Sequence, residues 1–418
     1  MRIDSIIMQR TFIIIAVVIV LAGVGAGVYF YFFGNAPSVT VAPSESSGLP
    51  VAERGALPGA EQTTTSYSPT GTPVVVSPRL VQITTGPVVP GESVVDIKAA
   101  NASPVGNLIS NGASSSPDAA VSYIARESGN VFSYLTKARV LTRTSNRTLP
   151  GIQSAAWLPN ASTTFVRYLS GDHFSTINTY ALPASGTGGF FLHQNLADIA
   201  VSSTRVLTLA SGVSGSVASL SNTDGTHTST LFTSPLSALR VSFAGENQYL
   251  AFTKPTMTLA GLAFLVDSAG NFSRIAGPRN GLVALASPSG RWVLVSYANG
   301  GAMYMELINT ATGEALPLPV ATIADKCVWA ATDSSVYCGI PISPSTAYNY
   351  PDDWYQGAVR FSDRIWKIDV AGRYAQLVLD FSQETEASLD AEALAINPAG
   401  TVLVFMNKND GSLWSYSL

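Results

Sequence analysis

A short turn followed by an apolar run returns along this chain at nearly constant spacing, and that periodicity restricts the fold more than any other feature. The turns are Ser116-Pro117-Asp118, Leu158-Pro159-Asn160, Val201-Ser202-Ser203, Phe243-Ala244-Gly245, Ser287-Pro288-Ser289, Ala331-Thr332-Asp333 and Asn397-Pro398-Ala399. Between their central residues the intervals are 42, 43, 42, 44, 44 and 66. Six positions after each centre stand Tyr123, Phe165, Leu250, Leu294, Cys338 and Val404, with Thr208 the exception. Three positions before stand Ala156, Ile199, Val241, Leu285, Trp329 and Ala395. A third run closes on an apolar residue, Asp or Asn, then Gly, as in Val266-Asp267 to Gly270, Ile308-Asn309 to Gly313 and Ile368-Asp369 to Gly372. Short alternating runs between turn residues are strands. Each unit is therefore a meander of about four strands, which cannot bury both faces alone and must stack on its neighbours.

A period of about 43 residues with four strands per unit is the arithmetic of a propeller blade, so seven units predict an all-β, seven-bladed β-propeller over residues 74–418. The runs from Ser287 to Val295 (S-P-S-G-R-W-V-L-V) and from Asn397 to Phe405 (N-P-A-G-T-V-L-V-F) closely resemble the S-P-D-G-x-x-apolar run of TolB-type, WD40-like bacterial propellers. That resemblance covers residues 74–418 and implies a fold, because unrelated functions share the motif. The Gly-His and Trp-Asp pairs of eukaryotic WD40 repeats do not occur. The last unit stops after its third strand, at Gly411 to Tyr416, so Arg79 to Thr85 is expected to supply the fourth and close the ring. Closure removes an exposed edge.

The N-terminal residues are of another kind. From Thr11 to Phe33 no charge occurs, which is long enough for a helix to cross a ~30 Å hydrocarbon core. Arg2 and Arg10 precede this run and the next basic residue is Arg54, so the expected orientation leaves residues 1–10 as a cytoplasmic tail and everything after the single transmembrane helix 11–33 outside. Residues 34–73 hold 6 Pro, 6 Ser, 6 Thr and 5 Gly, the composition of a tether that cannot bury a core. As a random coil it reaches on the order of 35 Å. Only 12% of the chain is charged and the net charge is −4, so the basic footprint of a nucleic-acid binder is missing and no nucleic-acid partner is expected.

Chemistry has few places to reside. Cys327 and Cys338 flank the sixth turn symmetrically, which sets them opposite one another in a hairpin and predicts a disulfide in an oxidising compartment. No metal site is expected from them, because no histidine accompanies them; His173, His193 and His227 lie apart in turns. No nucleophile elbow, H-E-x-x-H, phosphate loop or complete calcium loop is present, so the expectation is a protein with no catalytic residues and no cofactor. Asn407 to Trp414 only weakly resembles the Asp-box of sialidases, with Asn409 in place of its Asp, and reads as an ordinary Asp-Gly hairpin.

The sixth interval exceeds the others by some 22 residues, and the excess is located around Gly339 to Ala358, between the second and third strands of one blade. Inserts on one face of a repeat array often build its binding surface. Tyr348, Tyr350, Asp352, Asp353, Trp354 and Tyr355 fall together there, and Tyr and Trp offer large contact area with few rotors to freeze. They are the expected contacts for a protein partner, with Trp354 and Tyr355 as anchors; the alternative is that the rings pack down on the blade. The functional expectation is a membrane-anchored extracytoplasmic scaffold that binds protein. Its alternatives are a glycan-binding or carbohydrate-active propeller and a structural envelope component. The sequence does not specify an oligomeric state.

Overall fold

The computed structural model describes residues 73–97 and 117–418, which belong to one compact unit extending from Ser66 to Leu418. The expected helix 11–33 and the tether to residue 72 lie outside the described residues. Among the described residues no helix is long and apolar enough to cross a membrane.

The strands form six four-stranded antiparallel sheets and one five-stranded sheet, the seven blades of a propeller. The first strands of blades one to seven are Ser93–Ile97, Ile152–Trp157, Leu196–Val201, Leu239–Phe243, Val283–Ala286, Cys327–Trp329 and Ala391–Ile396. Those of successive blades touch along much of the ring and surround its axis. In blades two to seven the repeat turn read from the sequence falls between the first and second strands, and in blade one Pro117 directly precedes the second strand. Six positions on, Tyr123, Phe165, Leu250, Leu294, Cys338 and Val404 are all 0% exposed, wedged between blades. Full burial of such a side chain is worth about 1.5–3 kcal/mol, so the repeated position is a structural requirement of stacking. The Asp/Asn-to-Gly signature also has a local cause. Asp267 Oδ1 accepts the Ala269 and Asn271 N–H groups at 2.9 Å each, turning the third strand into the fourth, while Gly270 takes φ 83°. A residue with a Cβ rarely adopts that backbone.

Ring closure follows the expected route. Leu80–Gln82 joins the last blade beside Leu413–Ser417, pairing Leu80 with Tyr416, Val81 with Ser415 and Gln82 with Trp414. Leu80 and Ile83 are fully buried, and the Arg79 guanidinium lies 4.6 Å from the Tyr416 ring centre. Val74–Val75 adds a fifth, exposed strand outside it, which the sequence reading did not assign.

Two features of blade six bear on the site. Cys327 and Cys338 are direct cross-strand partners, their sulfurs are bonded and their Cα atoms are 4.1 Å apart. The insert is displaced toward the C-terminus from the expected Gly339 to Ala358: the second strand runs Ser335–Pro341, with Gly339 opposite Ile365 and Pro341 opposite Asp363. The excursion therefore occupies residues 342–362. Gly339 and Pro341 look like turn residues, but a strand tolerates them near its end, where few ladder bonds remain.

Candidate functional site

The insert leaves blade six and braces its neighbours. Its single-turn helix, Asp352–Tyr355, is positioned by Asp352, whose Oδ2 accepts the Met257 N–H at 2.7 Å and the Thr256 hydroxyl at 3.1 Å from a blade-four loop. The Thr346 carbonyl lies over a blade-five turn, so close that a Cβ on Gly301 would stand 2.2 Å from its oxygen. Asp353 faces inward along its own segment, its Oδ2 accepting the Asn349 N–H at 2.7 Å. The adjacent carboxylates thus serve separate bonds.

The four rings divide. Tyr350 and Trp354 are each 1% exposed. Tyr350 donates its hydroxyl to the Ser345 carbonyl at 2.7 Å, and the Trp354 indole N–H donates to Asp390 Oδ2 at 3.0 Å. Trp354, expected as an anchor for a partner, is therefore part of the core, because the helix turn directs it down between blades six and seven. Tyr348 and Tyr355 remain half-exposed. The Tyr355 hydroxyl donates to Asp325 Oδ2 at 2.6 Å, and the same oxygen pairs with the Arg240 guanidinium at 2.6 Å. Burial and the Asp325 charge hold the Tyr355 hydroxyl well above the usual phenol range.

Arg240 links the insert to a cleft of about 670 Å³ at the same end of the ring, lined by Arg167, Asp198, Arg240 and Lys254. The end is fixed by topology. Arg240 lies at the start of a first strand, and Ser211, which also lines the cleft, near the end of a second strand, as the insert does. Arg167 donates to the Leu196 carbonyl at 2.6 Å, and burial lowers its pKa, offset in part by Asp198. Asp198 accepts the Val241 and Ile199 N–H groups at 2.9 Å each, yet burial still raises its carboxyl above the usual range. Burial acts against the Arg240 charge as well, but Asp325, Tyr355 and Asp198 outweigh it and keep the guanidinium ionised. Lys254 is exposed and makes no ion pair among the described residues. The sequence reading missed this cleft. A signal was present: Asp198 and Arg240 both stand four positions before a turn centre, where blades two, five, six and seven carry Ala155, Ala284, Val328 and Leu394.

The opposite end is apolar. There the repeat turns converge on a pocket of about 400 Å³ lined by Pro159, Pro288, Pro398, Trp157 and Trp329, with Glu92 the one acid. Both indole N–H groups are spent on backbone, Trp157 on the Gly91 carbonyl at 2.9 Å and Trp329 on the Leu285 carbonyl at 3.3 Å. Glu92 is buried, and neither of its carboxyl oxygens has a hydrogen-bond partner among the described residues. Burial pushes its pKa well above the usual value, and the Glu392 charge adds to the shift. No group of metal-ligating side chains occurs among the described residues, and the three histidines are exposed and apart.

No protein-family model matches the chain, and no curated protein matches it. Solved structures do. An oligogalacturonate lyase in complex with manganese superposes with TM-score 0.51 at 8% identity, over 72% of this chain and 86% of that one. An oligogalacturonate lyase from Vibrio parahaemolyticus gives 0.52 at 8% identity, over 81% and 93%. TolB from Acinetobacter baumannii gives 0.37 at 11% identity, over 70% and 61%. At such identities the likeness is one of fold. It nevertheless overturns one expectation. The lack of a catalytic motif was read as the mark of a protein without enzymatic activity, whereas the lyases that share this ring are enzymes, so the missing motif excludes no reaction.

Proposed function

We propose that this chain is a membrane-anchored, extracytoplasmic propeller that binds a partner protein through an acidic segment seated in the cleft at the insert end. The observation that carries the reading is the gathering of Arg167, Arg240 and Lys254 around one concavity in a chain whose net charge is −4. Cations in a low-dielectric cleft attract anions more strongly than the same charges spread over a surface. The half-exposed rings of Tyr348 and Tyr355 stand on the neighbouring insert as contact area. Anchoring is supported by the charge-free run from Thr11 to Phe33 behind Arg2 and Arg10. The Cys327–Cys338 bond fits an oxidising compartment.

Full-length protein in detergent, titrated with a poly-glutamate peptide, is expected to bind it and to release it as salt rises. Lys254→Glu, on an exposed side chain, weakens binding about tenfold or more, and an unchanged affinity removes the cleft from consideration. A carboxylated glycan is the second reading, favoured by the same cations and by the fold shared with proteins that act on oligogalacturonate. Oligogalacturonate binding in the absence of peptide binding selects it. For the anchor, protease added to right-side-out vesicles should cut the tether and release the propeller, whereas full protection reverses the orientation.

A further inference from the structure

Between blades six and seven three charged side chains meet where no water reaches. Lys326 ends the short turn before the first strand of blade six, Asp363 opens the third strand of that blade, and Asp390 directly precedes the first strand of blade seven. All three are 0% exposed. The Lys326 ammonium touches Asp363 Oδ2 at 2.8 Å and contacts Asp390 Oδ1 from its other side. The Trp354 and Phe361 rings stand 5.0 and 5.1 Å from Nζ and keep the site apolar. The second oxygen of Asp390 is held separately: Oδ2 accepts the Trp354 indole N–H and the Phe361 backbone N–H, each at 3.0 Å.

A salt bridge alone does not account for this arrangement. Two carboxylates against one ammonium leave a net negative charge in a dry site, which is unfavourable even after the surroundings relax. What the geometry does assemble is the machinery for acyl transfer to an amine. An amine nucleophile lies against one oxygen of a carboxyl, two N–H donors hold the other oxygen where negative charge develops in a tetrahedral intermediate, and a second carboxyl on the amine is placed to carry protons. Asp363 suits that last role. Burial and the Asp390 charge raise its carboxyl to about 6 against the pull of Lys326, and its Oδ1 is buried without a partner.

We infer that Lys326 and Asp390 join through a side-chain amide that covalently staples blade six to blade seven. Lys326 Nζ first passes one ammonium proton by way of Asp363 to Oδ1 of Asp390, which makes that group a neutral, electrophilic carboxyl, and the freed lone pair attacks its Cγ. Charge gathers on Oδ2 between the Trp354 and Phe361 N–H groups. A second proton then leaves Nζ and reaches Oδ1 by the same carrier, and that oxygen departs as water while the C–N bond remains. Ammonium and carboxylate become amide and water, nothing is oxidised or reduced, and Asp363 ends the transfer as it began. The exchange removes two of the three buried charges, and Asp363, left without its counter-ion in a site that already raises its carboxyl to about 6, takes up a proton from solvent so that no unpaired charge stays there.

The test is the mass of the purified full-length chain after disulfide reduction, with tryptic mapping. The expected chain is one water lighter than its sequence, Lys326 resists trypsin, and one branched peptide carries both Lys326 and Asp390. Asp363→Asn leaves the ion pair's other partner in place and should yield the full mass with Lys326 cleaved normally. A wild-type chain of full mass with an unlinked Lys326 peptide overturns the inference. A branch from Lys326 to Asp363 overturns the assignment of roles, and an intact link in Asp363→Asn removes Asp363 as the proton carrier.

Discussion

The two ends of this ring are built from the same repeat by different means. At one end the turns between first and second strands deliver equivalent residues, Pro159, Pro288 and Pro398, to a common apolar mouth. At the other, a single excursion spanning 342–362 crosses two neighbouring blades, and the cleft beside it takes its charge from Arg167, Arg240 and Lys254 on three separate strands or loops. The proline mouth is regular because blades two, five and seven bring the same turn position to the axis. The cleft is irregular because each of its groups departs from the repeat. Polarity follows from this: the repeated positions are selected for stacking, and the departures are free to carry charge.

The sharpest way to break the comparison is at Trp354. If the insert is a brace, Trp354→Ala removes a fully buried indole and leaves Asp390 short of a donor, lowering stability by about 3–5 kcal/mol in a denaturant titration. A loss below about 1 kcal/mol would make the insert an appendage and the contrast false. Opening the Cys327–Cys338 bond, by reduction or by paired Cys→Ala changes, should cost about 2–3 kcal/mol, because it closes only a short loop. That loss must fall on both ends alike, since the bond lies within blade six. Asp352→Ala releases the insert from the blade-four loop at a cost of about 1–3 kcal/mol for the stranded Met257 N–H. It should also weaken anion binding at the cleft, whereas the proline mouth, with no contact to the insert, should not respond.

A smaller effect is read by pH. The Glu92 carboxyl is raised above 4.5 by burial, so the folded state holds its proton more tightly than the unfolded chain. Its contribution is complete below pH 4.5 and is lost as pH climbs through the raised value. Glu92→Gln should abolish that decline, seen by melting the wild type and the variant across pH 4 to 8, and parallel curves would show that the acid is not buried as described. Tyr348→Ala should be the mildest change, within about 0.5 kcal/mol, as befits a half-exposed ring.

Much of the ring was legible in the residues themselves. Six of seven positions at the same offset from the turns are fully buried, the Asp267-to-Gly270 turn forms as read, and Arg79 to Thr85 supplies the closing strand. These are local or periodic facts. Strand alternation and turn chemistry act over a few residues, and the repeat applies them again about every 43 positions. The candidate site was read only in part. The insert was found because it breaks the spacing, but its richness in aromatic side chains gave no indication that Tyr350 and Trp354 face inward while Tyr348 and Tyr355 remain half-exposed.

What the sequence determined by itself is the number of blades, the offset at which they stack, and the strand that completes the last one, because each rests on spacing along the chain. What only the tertiary structure decided is which distant groups share a space. Arg167 with Arg240, the three prolines with Glu92, and Lys326 with Asp363 and Asp390 stand tens to hundreds of positions apart. Their meeting depends on the curvature that closes seven twisted sheets around an axis, and no window of sequence contains that curvature.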